Sequence, residues 1–294
     1  MKRNTDSVKG TVLNELALAD ASTQDLKRLL ELFPVANLRQ SWPDLKGTKE
    51  ELCFAIAEQH DLARIATFVH ENVGCCKQHV YIFSRPSDFD HLPGQLPSGS
   101  MVRDLNGIEA LYIVRSQYTV VLRDPLDETS LDFLWPIRID VTPDNIIVRI
   151  VVLEKSLAAY FDRSCYVADR NVEEKDILVS LASIVQQRAD LHKGIKKLWE
   201  DGFMDSPRTK YKKAISSAWE ATDEERGIRE HNPELFDELQ NAMLLNTLFV
   251  IPDEKGSSVG AFSVDPSNGY VAFTSYSNKG DTDFVIHEIL KQNQ

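Results

Sequence analysis

Residues 145–153 read Asn-Ile-Ile-Val-Arg-Ile-Val-Val-Leu, a nearly unbroken run of β-branched side chains. Two heavy substituents on Cβ restrict the side-chain torsion and suit a pleated surface. Because the apolar residues do not alternate with polar ones, the run predicts a strand buried on both faces. The turn before it, Thr142-Pro143-Asp144-Asn145, favours a tight reversal. Burial of that kind needs a sizeable core. A chain of 294 residues with 43% hydrophobic content can supply one, hiding roughly three quarters of the surface it exposes when unfolded.

Around this strand the sequence divides into helical and extended periods. Over residues 1–74 apolar side chains recur every three or four positions, as in Val8, Val12, Leu13, Leu16 and Ala19. Leu26, Leu29, Leu30 and Phe33 repeat the pattern after a Ser22 or Thr23 cap, and Thr48 with Glu51 forms a capping box. A fourth helix is predicted from Asp61 to Gly74, completing a small bundle. Beyond Gly74 the pattern becomes extended at 79–83 and 131–141, with Pro136 at an edge or bulge. Residues 108–115 and 118–123 read as a hairpin joined near Ser116-Gln117. Helical period returns over 173–202, predicting one long helix with a weak point at Gly194. A helix at 233–245, a meander of strands at 247–251, 259–264 and 270–275, and a terminal helix at 282–291 follow. The expected class is α+β, with a helical domain over 1–74 and an α+β domain over 75–294. The second domain would hold an antiparallel sheet, a long helix and a smaller C-terminal meander with its closing helix.

Motifs for chemistry are scarce. The seven histidines (His60, His70, His79, His91, His192, His231 and His287) show no pair at helical ligand spacing. Nucleophile-elbow, P-loop and Gly-x-Gly-x-x-Gly patterns are absent from the sequence. Asp88, Asp90 and His91 share the Pro-rich loop 85–100, where a metal-assisted hydrolase could place ligands, although loops are rich in Asp for turn reasons alone. The expectation is therefore no catalytic residues, no metal and no cofactor. Cys53, Cys75, Cys76 and Cys165 lack zinc-knuckle spacing and read as reduced thiols, which places the protein inside the cell, in cytoplasm or nucleus. No apolar run reaches the ~18 residues needed to cross a bilayer, so no membrane partner is expected.

Charge says more. The whole chain carries −12, and so repels phosphate as a body. Residues 192–213 reverse that sign: Lys193, Lys196, Lys197, Arg208, Lys210, Lys212 and Lys213 face only Glu200, Asp201 and Asp205. Such a cluster can neutralise phosphates and release counterions. The alternative is a helix end whose cations offset the dipole, or which pair with the acidic stretch 220–238. Trp199 lies on the apolar stripe and reads as core.

Two resemblances bear on function. Asp25-Leu26-Lys27-Arg28-Leu29-Leu30, followed by Lys46-Gly47-Thr48-Lys49-Glu50-Glu51-Leu52, resembles the SAP-type DNA-binding module, with a longer linker than is usual there. The same Lys46–Leu52 segment, then His79-Val80-Tyr81-Ile82-Phe83, then Gly194-Ile195-Lys196-Lys197-Leu198-Trp199-Glu200-Asp201-Gly202, is similar in order to the centromere protein N family. That likeness spans about 21 residues and leaves a long tail unmatched. It implies a death-fold-like helical domain joined to a mainly β region. It also implies DNA or nucleosome contacts through Lys27, Arg28, Lys46 and Lys49, and a protein partner docked on the β region. The expected function is a non-enzymatic adaptor, with a homo-oligomeric scaffold and the loop hydrolase as alternatives.

Overall fold

A computed structural model describes residues 55–56, 78–87, 101–104, 108–123, 126–151, 165–167, 175, 178–179, 181, 187–214, 217–222, 227–252, 260–274 and 279–294. At 101–104, 108–123, 126–136, 151, 165–167, 213–214, 217–218 and 279 only the backbone is described. In chain order the strands are β1 (Gln78–Ser84), β2 (Met101–Asp104), β3 (Ile108–Arg123), β4 (Leu126–Val141), β5 (Asn145–Val151) and β6 (Cys165–Val167). They continue with β7 (Gln187–Arg188), β8 (Asp205–Ala214), β9 (Ser217–Thr222), β10 (Met243–Val250), β11 (Ala261–Asp265) and β12 (Tyr270–Phe273). The helices are α1 (His192–Glu200), α2 (Ile228–His231), α3 (Pro233–Asn241) and α4 (Lys279–Asn293).

All twelve strands join one sheet in the order β2-β3-β4-β5-β1-β12-β11-β10-β8-β9, with β6 on β3 and β7 on β1. Every pairing is antiparallel. The β-branched run is β5, and Ile146, Ile147, Val148, Arg149 and Ile150 are all buried, as its unbroken pattern predicts. On the inner face Val80, Ile82, Ile147, Phe249, Phe262, Val264, Val271 and Phe273 meet Ile195, Leu198 and Trp199 of α1 and Val285, Ile286 and Ile289 of α4. Trp199 sets its ring edge-on to Phe236 and Phe249, at centroid distances of 5.2 and 5.4 Å. Phe249, Phe262 and Phe273 then continue as neighbours across three strands.

Two polar devices fix the helices on this face. Arg138 of β4 and Arg149 of β5 lie directly opposite each other. They share Asp140 (2.6 and 2.9 Å) and Asp283 of α4 (3.2 and 2.9 Å). Arg149 is only 5% exposed, so its charge depends on those carboxylates. The Asp205 carboxylate accepts from the indole N–H of Trp199 (2.8 Å) and from the backbone N–H of Ser206 and Arg229. Gly227 makes that approach possible: its φ is +87°, and a Cβ there would overlap the Asp205 carboxylate.

The expected division into a helical bundle, a sheet, a long helix and a separate C-terminal meander is corrected. The described chain is dominated by one large antiparallel sheet with a few short helices. β12 pairs with β1, so the meander belongs to the same sheet as the earlier strands. The long helix over 173–202 is interrupted: Gln187–Arg188 is a strand and α1 starts only at His192. Here the backbone donors of Ala189 and Leu191 go to the carbonyls of Ile82 and Pro266 instead of to a preceding helical turn. The hairpin expected at Ser116-Gln117 is one continuous strand, β3, whose last residue Arg123 pairs with Leu126, the first of β4. Ser-Gln carries no turn chemistry, whereas Asp124-Pro125 does. Residues 205–214 and 217–222, for which the sequence predicted no helix or strand, form the β8–β9 hairpin. Pro136 does not mark an edge strand: β4 lies between β3 and β5, and Pro136 pairs with Ile113 one residue before the pairing with β5 begins. The predicted bundle over 1–74 lies outside the described residues, apart from Ala55 and Ile56, which are helical and buried.

Two substitutions test this packing. Gly→Ala in a helix ordinarily gains about 1 kcal/mol. At Gly194 a Cβ would collide with the backbone oxygen of Ile289 in α4, so Gly194→Ala should instead lose about 1–3 kcal/mol in denaturant unfolding. Arg149→Met strands Asp140 and Asp283 with Arg138 alone and should cost about 3 kcal/mol by the same measurement.

Candidate nucleic-acid interface

Strand β8 builds the surface by simple alternation. Thr209 and Tyr211 are buried on the inner face, and Thr209 Oγ1 lies 2.7 Å from Thr247 Oγ1 on β10. The residues between them, Arg208, Lys210 and Lys212, therefore project from the outer face. Arg208 and Lys210 are exposed and Lys212 is half-buried. Beside them on β10 stand exposed Met243, opposite Lys212, and half-buried Leu248, opposite Arg208. Arg208 is paired with Glu220 of β9, an ion pair with both partners well exposed. The side chains of Lys210 and Lys212 make no hydrogen bond or ion pair among the described residues, although Glu220 lies directly opposite Lys210 in the sheet.

The other cations of the sequence cluster are placed differently. All three in α1 are engaged within the fold. Lys193 donates to the main-chain oxygen of Gln294. Lys196 donates to the carbonyls of Gln240 and Ala242 (both 2.7 Å), closing the C-terminal end of α3. Burial lowers the Lys196 ammonium below the usual lysine range, against the pull of Asp190. Lys197 holds Asp201 (2.7 Å) and Glu200 (3.4 Å), and the hydrogen bond it donates to Asp201 raises its value. The stretch 192–213 thus separates into a helix whose cations face their own neighbours and a strand that presents its cations outward. Trp199 is fully buried, as its place on the apolar stripe predicts. The side chain of Lys213 lies outside the described residues, as do Lys27, Arg28, Lys46 and Lys49 of the helical domain and Asp88, Asp90 and His91 of the loop. Among the described residues no three His, Cys, Asp or Glu side chains gather as a metal site, and no helix is long and apolar enough to cross a membrane.

Along the outer face the cover changes by degrees. Exposed side chains predominate on β8 and β10. Ser263, Asp265, Tyr270, His79 and Tyr81 on β11, β12 and β1 are half-buried, and Val148 and Ile150 on β5 are buried completely. One row crosses this gradient. Lys210 lies opposite the β10 bulge that contains Asn246, Asp265 pairs with Tyr270, and Tyr270 pairs with Tyr81. The Tyr81 and Tyr270 rings are 5.1 Å apart, and His79 meets Tyr270 at 5.4 Å. Neither a family model, a curated protein nor a solved structure matches the chain. The surface is therefore read from its own chemistry.

Sequence reasoning found Arg208, Lys210 and Lys212 by their charge. It missed Tyr81, Asn246, Asp265 and Tyr270, which come together only through the long-range pairing of β1, β12, β11 and β10. The alternation Thr209-Lys210-Tyr211-Lys212 was the one local signal that β8 is a strand with a cationic face.

The start of α1 supplies a pH test. Burial pushes the Asp190 carboxyl up, but the His192 backbone N–H, the His192 ring and Lys196 outweigh it, leaving the carboxyl below its usual range. A carboxyl lowered in the folded state stabilises it above the unfolded value, and that contribution is lost as pH falls through the folded value. Asp190→Asn should therefore flatten the acid limb of a Tm–pH curve. An unaltered limb would show that the joint does not depend on this charge.

Proposed function

We propose that the protein is a non-enzymatic intracellular adaptor that contacts nucleic acid through the outer face of β8 and docks a protein partner. One observation carries the reading: Lys210 and Lys212 stand outward without an ion pair in a chain whose net charge is −12, the carboxylate opposite Lys210, Glu220, being held by Arg208. Most cations of an anionic protein find carboxylates, as Lys197 and Arg208 do here. Two that do not, side by side on one strand, offer a phosphate backbone the charge that the rest of the surface withholds. Arg208 adds to them, because its exposed pair with Glu220 contributes little and a phosphate can replace the carboxylate. The SAP-like segment, with Lys27, Arg28, Lys46 and Lys49, would add contacts from the helical domain.

Electrophoretic mobility shift with DNA and RNA across a salt series tests the proposal. Binding is expected at low salt and should weaken steeply as salt rises. Lys210→Glu with Lys212→Glu should weaken it for all sequences alike and reduce the slope of log K against log salt by about two. If no DNA or RNA, single- or double-stranded, shifts at low salt, the nucleic-acid contact is wrong, and a co-purifying protein is then the only ligand left to the adaptor.

A further inference from the structure

We infer that His192 is a proton-dependent clamp: as an imidazolium it pins the start of β10 to α1, and loss of its proton loosens the strand end that stands beside Lys212. Only the last step, pH as a regulator of the outer face, rests on the proposed function. His192 opens α1, and both of its ring nitrogens are engaged. Nδ1 lies 2.6 Å from an Asp190 carboxylate oxygen, and Nε2 lies 3.0 Å from the main-chain oxygen of Leu244 on β10. A carbonyl can only accept. The Asp190 side chain is 75% exposed and ionised at neutral pH, so it too only accepts. Two acceptors require two donors, and the ring supplies both only when charged. A neutral ring has one N–H. It would turn a lone pair toward either the carboxylate or the carbonyl and give up one of the two bonds.

Lys196 stands one turn further along the same face of α1 and donates to the carbonyls of Gln240 and Ala242. The two side chains thus hold every second carbonyl of the segment that leaves α3 and enters β10. That segment has little other support. Met243 pairs with Lys212 and Leu244 with Tyr211, but the register then shifts before Thr247 meets Thr209. On its other side, among the described residues, β11 pairs with β10 only from Thr247 onward. The charged groups of this joint are Asp190, Lys193 and Lys196. β10 has no ionisable side chain, and from α3 and α4 main-chain oxygens and the Asn293 amide reach this end of α1. At the turn 266–268, which receives the Leu191 N–H, the adjoining carboxylate is Asp265, held by Asn268. Histidine is the side chain that changes charge between about pH 5 and 8. The clamp therefore tightens toward acid pH and relaxes toward alkaline pH, and with it the pairing that sets Lys212 in place.

The test uses the full chain. In proton–nitrogen correlation spectra at about pH 6 the His192 ring, identified by its loss in His192→Gln, should carry a proton on each nitrogen. Amide exchange, expressed as protection factors to remove the intrinsic effect of pH, supplies the second readout. Residues 243–246 should lose about tenfold protection between about pH 6 and about pH 8, while β12 keeps its own. In His192→Gln that pH dependence should vanish, because an amide donates alike at either pH. A ring with one proton at the acid end, or protection at 243–246 that ignores pH, overturns the clamp; both come from the wild-type chain even if the variant does not fold. For the last step, oligonucleotide affinity at matched salt should fall over the same range by up to about tenfold, the worth of one phosphate contact. The fall should be smaller in His192→Gln, and an equal fall overturns the regulation of the face. Failure of every oligonucleotide to bind at low salt removes the proposed function and that last step, while the ring protons and the exchange still decide the clamp.

Discussion

The described structure hangs on the pairing of β1 on both sides at once. Along one edge it takes β5 in seven consecutive register positions, and along the other it takes β12 in four and then β7. Among the described residues β1 is the only link in the strand order between the strands that precede residue 152 and the C-terminal strands. Its inner side chains, Val80 and Ile82, join the common core, while His79 and Tyr81 face outward. Without this strand there would be two separate sheets, each with an open edge of unpaired N–H and C=O groups. The pairing joins residues nearly two hundred positions apart, so the loop-closure cost comes before the contacts that offset it.

That arrangement explains which parts of the fold could be read locally. The β5 run was legible because its burial on both faces leaves a mark in composition alone. β1, the helix at α3 and the closing helix α4 were legible from periodicity, within a few residues at their ends. The joining of the meander to the first sheet was not legible, because nothing in 270–275 identifies β1 as its partner. The helical stripe ending at Trp199 misled for a related reason. Three- and four-residue spacing continues across Ala189 and Leu191, yet their N–H groups find Ile82 and Pro266 as acceptors. Tertiary hydrogen bonding overrode a pattern that was sound in itself.

The candidate site shows the same limit in chemical terms. Charge is visible one residue at a time, so the lysines and Arg208 could be named from sequence, but not sorted. Sorting required knowing that α1 directs Lys196 toward the C-terminal carbonyls of α3, while β8 directs Lys210 to the outside. The pair formed by Tyr81 and Tyr270 was further from view. Its members come from β1 and β12, and each is unremarkable until the register sets Tyr81 against Tyr270.

A competing explanation of Lys210 and Lys212 is protective: lysines on edge strands discourage sheet-to-sheet aggregation. Their position argues against it. β8 is flanked by β10 on one side and β9 on the other, so it is not the edge. The last strand along this path among the described residues is β9, which reads Ser-Ala-Trp-Glu-Ala-Thr with a single charge, Glu220. Were protection the purpose, the cations would belong there. They stand one strand further in, alternating with Thr209 and Tyr211, whose buried side chains hold the strand in register. The inner face of β8 thus carries the fold and its outer face carries the charge. The outer residues can change without disturbing the core, which is the condition a binding surface needs in order to be tuned independently of stability.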